Sequence, residues 1–404
     1  MAISCSTCKG RGFCGAKRCI YLDRISAVAP IAKKVSTSFF GSSPPSVFVG
    51  RIGYPNVFAG ALAPAEQGDT ALFDNPSLWA GKQMSIQDIL AYRTSLVNSR
   101  LRTNIKKKPK FLESIQEIAM AKKSVEFEAH YEKPVSMGLG FFTTSAPIGP
   151  SGSISTMALT ENVRVARKVD SIVSDIHAQA KTSVIELFDK SLSENSIMKL
   201  FSVGLLGRKT DRKLVPTRWS ITAIDDTLGK NIIDEIKAHD IIDSVQILKA
   251  NYNGNYFWII LLPNVWSYEL IELGHEGAVW SDKGTKVCVT KDFENYFGRK
   301  KYASITAGGY YAARIGVLEY LNKIKKQASV LIVREILPDY FAPLGVWVVR
   351  ETVRKAMNAK PVVYESAKHA VLATQKEMKA QKDIFHESVL LKKSFSQKML
   401  SSFA

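Results

Sequence analysis

The sequence predicts an α/β or α+β fold: a mixed core, preceded by a small four-cysteine zinc module and followed by a flexible C-terminal tail. Three observations carry this expectation. Short apolar runs rich in β-branched and aromatic residues alternate with stretches of helical period through the middle of the chain. Four of the five cysteines fall within the first 19 residues. From Pro361 onward the chain turns polar and helix-prone. At 404 residues it is also too long for one ordinary core. The expected parts are a cysteine module over 1–22, an N-terminal core domain over 46–290, a C-terminal α/β part over 291–360 and a tail over 361–404.

The elements follow in order. The Ser/Pro-rich segment Ser36–Ser46 reads as a linker. Apolar alternation and paired glycines over 46–58 suggest a strand with a tight turn. Ile86, Ile89, Leu90, Tyr92 and Leu96 share one side of a helix over 86–100. The basic, proline-broken stretch 100–110 reads as an exposed loop, and Leu112, Ile115, Ile118 and Ala119 mark a further helix. Residues 134–156 carry no period and read as a long functional or disordered loop. Val165, Val169, Ile172, Val173, Ile176 and Ala180 form a stripe that predicts one long helix over 163–187. Residues 219–224 and 256–262 read as buried strands. The last third repeats helix, strand and helix at 307–328, 329–337 and 344–357.

Apolar residues make up 46% and charged residues 23%, an ordinary globular balance rather than a disordered one. No apolar run long enough for a membrane span occurs, and no secretory signal opens the chain, so a cytoplasmic protein is expected. Fifty-five Lys and Arg against 37 Asp and Glu give a formal net charge of +18. Such an excess favours a polyanionic partner, because each phosphate neutralised releases condensed counterions. DNA is the polyanion taken here; positive charge serving solubility alone is the plainer alternative.

Cys5, Cys8, Cys14 and Cys19 follow the spacing C-x2-C-x5-C-x4-C. Four thiolates satisfy tetrahedral zinc, and a C-x-x-C pair presents two sulfurs from one tight turn. Gly10, Gly12 and Gly15 allow such turns, while Lys9, Arg11, Lys17 and Arg18 offset the charge of a four-thiolate centre. The module therefore reads as a structural, zinc-finger-like site. An iron–sulfur cluster is the alternative, although the spacing is not one of the usual ferredoxin runs. Cys288 reads as a buried strand residue.

The chain ends QKMLSSFA. This fits Q-x-x-h-x-x-a, the docking (PIP) motif of proteins that bind the DNA sliding clamp PCNA. One helical turn brings Leu400 and Phe403 together as an apolar plug, while the Gln397 amide suits a small polar pocket.

Four strings stand out in the core: SVFVGRIGYPNVFAG at 46–60, KLVPTRWSITAIDD at 213–226, GRKKYASITAGGYYAAR at 298–314 and VREILPDYFAPLGVWVVRE at 333–351. Together with the cysteine cluster and the terminal peptide, they resemble the archaeal Nre family of DNA-repair proteins over nearly the whole chain. The resemblance implies a role in repair of DNA damage coupled to PCNA, and it supplies no catalytic residues. The chain departs from the usual clamp motif at Ala404, where a second aromatic is normal.

These strings set arginine beside aromatics: Arg51 near Tyr54, Arg218 before Trp219, and Tyr310 and Tyr311 ahead of Arg314. Arginine binds phosphate bidentately and aromatic faces stack on exposed bases. Arg51, Arg218, Trp219 and Arg314 are thus the candidate DNA or nucleotide contacts. For any one pair, a core aromatic with a cation–π or salt-bridge arginine explains the pattern as well. Gly308-Gly309 reads as a packing turn at a helix start; Asp225-Asp226 ends a predicted strand, with Asp226 or Thr227 placed to cap the following helix, and Mg²⁺ binding with another acid is the alternative. No phosphate-loop, dinucleotide, nucleophile-elbow or zinc-protease motif is present. Three readings remain: a PCNA-recruited DNA-repair factor, an enzyme acting on DNA or a nucleotide cofactor through Arg51, Arg218, Arg314 and Asp225, and a protein adaptor.

Overall fold

The computed structural model describes residues 11–13, 19, 22, 31, 35–136, 149–279, 287–380 and 383–396. The chain is mixed α/β and divides into two compact units, residues 1–228 and 229–404. The division falls well before the boundary after residue 290 that the sequence suggests.

In the first unit, β1 (Ser38–Ser43), β2 (Ser46–Val49), β3 (Asn56–Ala63), β4 (Val97–Asn104), β5 (Val125–Tyr131) and β6 (Ser151–Leu159) form one sheet. Its order is β1-β5-β6-β4-β3-β2, with β4 and β6 parallel and the other neighbours antiparallel. The expected linker Ser36–Ser46 is therefore not a linker, since β1 pairs along its length with β5. Its serines can enter the interior because their hydroxyls find partners: Ser43 Oγ donates to Leu62 O at 2.8 Å. Likewise, Arg100–Asn104 lies in β4 rather than in a loop.

Helices α1 (Pro76–Gly81) and α2 (Ile86–Ser95) begin at side-chain caps, Asn75 and Ser85, which accept from the amides of Leu78 and Asp88. Helix α3 (Lys110–Met120) buries Phe111, Leu112, Ile115, Ile118 and Ala119 on one stripe. The helix expected over 163–187 is two: α4 (Arg167–Ser174) and α5 (Ala180–Asp189). Asp175 breaks it, because its carboxylate accepts the amides of His177 and Ala178 and so holds a turn. Helix α6 (Glu194–Ser202) starts at the cap Ser193. One buried cluster ties the unit together: Asp74 pairs with Lys199 of α6 at 3.0 Å, with Arg93 of α2, and accepts from Ser46 of β2.

Residues 219–224 are not a strand. They lie in α7 (Thr217–Ile236), the helix within which the division between the units falls. Ser220, Ile224, Leu228, Ile232 and Ile236 are buried at every fourth residue, a helical stripe that outweighs the β-branched composition.

In the second unit the short pair β7 (Asp240–Ile241) and β12 (Lys326–Gln327) sits apart from a six-stranded sheet. That sheet comprises β8 (Val245–Tyr252), β9 (Asn255–Leu262), β10 (Ser267–His275), β11 (Val287–Glu294), β13 (Ser329–Ile336) and β14 (Val362–Tyr364), in the order β11-β10-β13-β9-β8-β14. Every residue of β13 is buried, so both faces of the sheet must be covered. One face packs α8 (Ala307–Lys323) and α9 (Trp347–Met357). The other receives α10 (Ala367–Glu377) and α11 (Val389–Ser396).

The flexible tail expected from Pro361 is thus corrected as far as Ser396. Ala370, Met378, Ala380, Ile384, Phe385, Leu390 and Leu391 belong to the same apolar cluster as Ile260, Ile271 and Leu331 of the sheet. Helices that look polar along the sequence are amphipathic, and the sheet's second face supplies their apolar partner. Among the described residues no helix is long and apolar enough to cross a membrane.

Candidate nucleic-acid interface

The turn joining β2 to β3 is closed by three backbone bonds, Gly50 N to Phe58 O, Tyr54 N to Arg51 O and Asn56 N to Gly53 O. Gly53 has φ +80, and a Cβ there would stand 2.9 Å from Asn56 O, so glycine is required. Inside this turn all of residues 51–56 are exposed. A hairpin tip this tightly bonded presents Arg51 and Tyr54 from a rigid base, with Ile52 exposed between them.

Two further segments come up against it. Ile105 N donates to Pro55 O at 3.0 Å and Asn104 Nδ2 to Asn56 Oδ1 at 3.0 Å, which brings the turn after β4 alongside. The register Phe58↔Arg102 and Gly60↔Arg100 sets both arginines on the face that carries Phe58. Arg100 lies 4.4 Å over the Phe58 ring, and burial lowers its affinity for a proton. Arg102 stands exposed beside Gly53. On the other side, Leu214 N donates to Ile105 O and Val49 N to Thr217 Oγ1. These bonds seat the start of α7 so that Trp219, 45% exposed, meets Tyr54 with ring centroids 5.1 Å apart.

The result is one surface built from segments 50–56, 100–110 and 213–223, none of which contains Asp or Glu. Arg51, Arg102, Lys106, Lys107, Lys108, Lys213 and Arg218 are exposed on it. None of them forms an ion pair among the described residues, unlike Arg93 or Arg208 elsewhere in the unit. Unpaired cations around a half-exposed ring pair can neutralise phosphates and offer a stacking face at the same place. A cavity of about 370 Å³ opens from Lys213 and Val215 between Phe201, Leu206, Arg208 and Lys181. Arg208 there is held by Asp211 at 2.8 Å.

Of the residues singled out in the sequence, Arg51, Arg218 and Trp219 therefore fall on one surface. Arg314 does not share that exposure. It lies on α8 in the second unit, 2% exposed, and Nη1 donates to Glu294 at 2.8 Å. It belongs to a buried polar layer between β10, β11, β13 and α8. Arg334 pairs with Glu272 at 2.6 Å and with Asn255, and Arg299 pairs with Asp292 at 2.9 Å. The phenol of Tyr310 is pushed far up by burial, with Glu294 adding to it. Each arginine in this layer has its own acid, so it is a core device rather than a docking surface.

The start of α8 is closed to anions in the same way. Asp292 accepts the amides of Ile305 and Thr306, and Glu272 Oε1 sits 3.0 Å from where a Cβ of Gly309 would be. Gly308 and Gly309 are the second and third residues of α8 itself, not a turn ahead of it. Asp225 and Asp226 lie within α7 rather than at the start of a helix, and Cys288 is half-buried in β11. Cys5, Cys8, Cys14, Gln397, Leu400 and Phe403 lie outside the described residues; Cys19, within them, is half-buried and in no disulfide. Arg102 was not apparent in the sequence. The signal for it was the β3–β4 register, which one-dimensional spacing does not show.

Residues 13–281 match the archaeal Nre N-terminal domain and residues 294–403 the archaeal Nre C-terminal domain. The chain belongs to the archaeal Nre family. It is 38% identical over 381 residues to DNA repair protein NreA of Archaeoglobus fulgidus, an alignment covering 94% of each chain. With DNA repair protein NreB of the same organism it shares 34% identity over 401 residues, 99% of this chain and 100% of the relative. NreA of Haloferax volcanii is 36% identical over 342 residues, 83% of this chain and 81% of the relative. No solved structure matches the chain. The Nre assignment covers both compact units, and the break between its two matches, residues 282–293, takes in all of β11 but its last residue.

Proposed function

We propose that this Nre-family protein is a cytoplasmic DNA-repair factor that binds DNA through the basic surface of its first unit. The observation that carries the reading is the Tyr54–Trp219 contact, which gathers Arg51 and Arg218 with Arg102 and Lys106–Lys108 on an acid-free face. The names of three relatives as DNA repair proteins support the repair role. Binding of this kind is chiefly electrostatic and weakly sequence-selective, because the cations address phosphates rather than base edges.

Two terminal devices complete the proposal. Cys5, Cys8, Cys14 and Cys19 would hold one structural zinc, whose four-thiolate shell supplies the folding energy that a module this short cannot draw from a core. Gln397, Leu400 and Phe403 would dock the protein on the PCNA sliding clamp and so deliver the basic surface to DNA.

The test is duplex affinity measured against salt concentration for the full chain and for a R51A/R102A/R218A variant. The variant should bind more weakly and lose about 2.7 from the slope of log affinity on log salt, at about 0.9 per phosphate. No binding at low salt, or an unchanged slope, would refute the surface and leave a protein adaptor. Elemental analysis should find zinc at about one per chain. Iron instead would make the module a cluster site.

A further inference from the structure

We infer that the loop between β11 and α8, residues 295–306 with sequence NYFGRKKYASIT, is a second nucleic-acid contact that grips unpaired bases. The inference rests on the proposal that the protein binds DNA. It concerns a surface wholly within the second unit.

The loop exposes large apolar side chains that a folded protein normally covers. Phe297 is 88% exposed, Ile305 61% and Tyr302 53%. Lys300 and Lys301 are exposed among them, and the loop contains no acid. Such a cluster marks an interaction site rather than scattered surface residues.

The exposure is built, not frayed. Arg299 anchors the loop from inside, its Nη1 donating to Phe293 O at 2.8 Å and its Nη2 meeting Asp292 at 2.9 Å. The other carboxylate oxygen of Asp292 accepts from Ile305 N, Thr306 N and Thr306 Oγ1. Ala303 N donates to Tyr311 OH at 2.9 Å, and Tyr302 stacks on Tyr311 with centroids 5.4 Å apart. Lys237 lies 4.6 Å over the Tyr296 ring, whose edge contact holds Phe297. Asn295 accepts the amide of Phe297 through its side chain and that of Gly298 through its carbonyl, which turns the Phe297 ring outward. A contact held in place before binding loses little freedom when it docks.

The chemistry of the exposed set selects the occupant. Buried protein interfaces are depleted of lysine, whereas adjacent lysines beside exposed rings suit a strand whose phosphates and base faces alternate. Every base has a π-face, so the grip is tolerant of sequence. A paired duplex hides those faces, and the preference is for single-stranded or unstacked DNA.

The experiment compares oligothymidylate with a duplex of equal length, read by fluorescence anisotropy on the full chain. Three forms are measured: the parent protein, F297S/I305S and K300A/K301A. These positions are exposed, so the fold is not at stake. F297S/I305S should lose about tenfold in single-strand affinity, keep its salt slope and bind duplex as before. K300A/K301A should instead reduce the single-strand salt slope by about 1.4, at about 0.7 per phosphate. Unchanged single-strand affinity in F297S/I305S, or an equal loss on duplex, would overturn the inference. Because R51A/R102A/R218A reports separately on the first unit, loss of duplex binding there with no effect here would defeat this loop alone. A parent protein that binds neither DNA would defeat both proposals.

Discussion

Glu269, buried near the start of β10, accepts a 2.6 Å hydrogen bond from Ser388 Oγ, far along the chain in the C-terminal segment. The same carboxylate accepts the amides of Val389 and Leu390 at 3.0 and 2.9 Å and so caps α11 from the sheet face beneath it. Glu335 of β13 likewise accepts the amides of Lys379 and Ala380, and its Oε1 also meets His275 Nε2 at 2.7 Å. Two sheet glutamates therefore hold the segment that covers their face. A charged acceptor suits this task, since hydrogen bonds to an ionised group are about twice as strong as neutral ones.

Truncation should separate this segment from the terminal peptide. Removing residues 397–404 should leave the melting temperature nearly unchanged. Removing 361–404 should instead unfold the second unit, because it strips the apolar cover from Ile260, Ile271 and Leu331. Thermal denaturation followed by circular dichroism reads both. Equal melting of the two truncations would show that the sheet does not need its second cover.

Acid should attack the first unit at Asp74. Burial alone would raise that carboxyl, but Lys199 and Arg93, with the Ser46 hydroxyl, outweigh it and hold it well below its ordinary value of 3.8. A depressed folded-state value means that the carboxylate's contribution is full above the unfolded value and is lost as pH falls through the folded one. Stability measured by urea denaturation should therefore drop steeply below about pH 4, and Asp74→Asn should flatten that drop. Removing the charge leaves Lys199 and Arg93 without their acid, so the variant should also lose about 3–5 kcal/mol at neutral pH. An unchanged acid limb in the variant would place the sensitivity elsewhere.

Arg314 should behave as a core residue. Replacing it with alanine strands the buried Glu294 carboxylate and should cost about 3–5 kcal/mol of stability. DNA affinity per folded molecule should stay at the parent value, whereas Arg218→Ala should do the reverse. Calorimetric melting and anisotropy on the same samples distinguish the two. A loss of affinity in folded Arg314→Ala would return that arginine to the binding surface.

Clamp docking should reside in Leu400 and Phe403. A short peptide relies on a few buried anchors and loses conformational freedom on docking, so affinity in the range of about 1 μM is expected. Ala404→Phe should tighten it by adding the second ring that the motif usually has. Isothermal titration of PCNA with full-length and truncated protein reads both, and equal affinity for the two forms would show the terminal match to be accidental.

The sequence by itself determined the mixed α/β class, the strands β9 and β13 with their long apolar runs, and the helices α2 and α3 with clean stripes. It also set the charge excess and the residue types Arg51, Arg218 and Trp219, since these depend on composition and local period. Tertiary structure decided everything that needed a partner distant in the chain. The β-branched run at 219–224 became helix because its apolar residues fall on a fourfold stripe that the surrounding core rewards. The polar stretch after Pro361 became a packed layer because Glu269 and Glu335 receive its backbone amides and β13 needs cover on both faces. Arg218 and Arg314 look alike along the chain, each within three residues of an aromatic. One was left on an acid-free surface with Arg102, and the other was folded onto Glu294. Spacing records which residues follow one another, but an ion pair or a surface depends on which strands are neighbours, and that is fixed only when the sheet assembles.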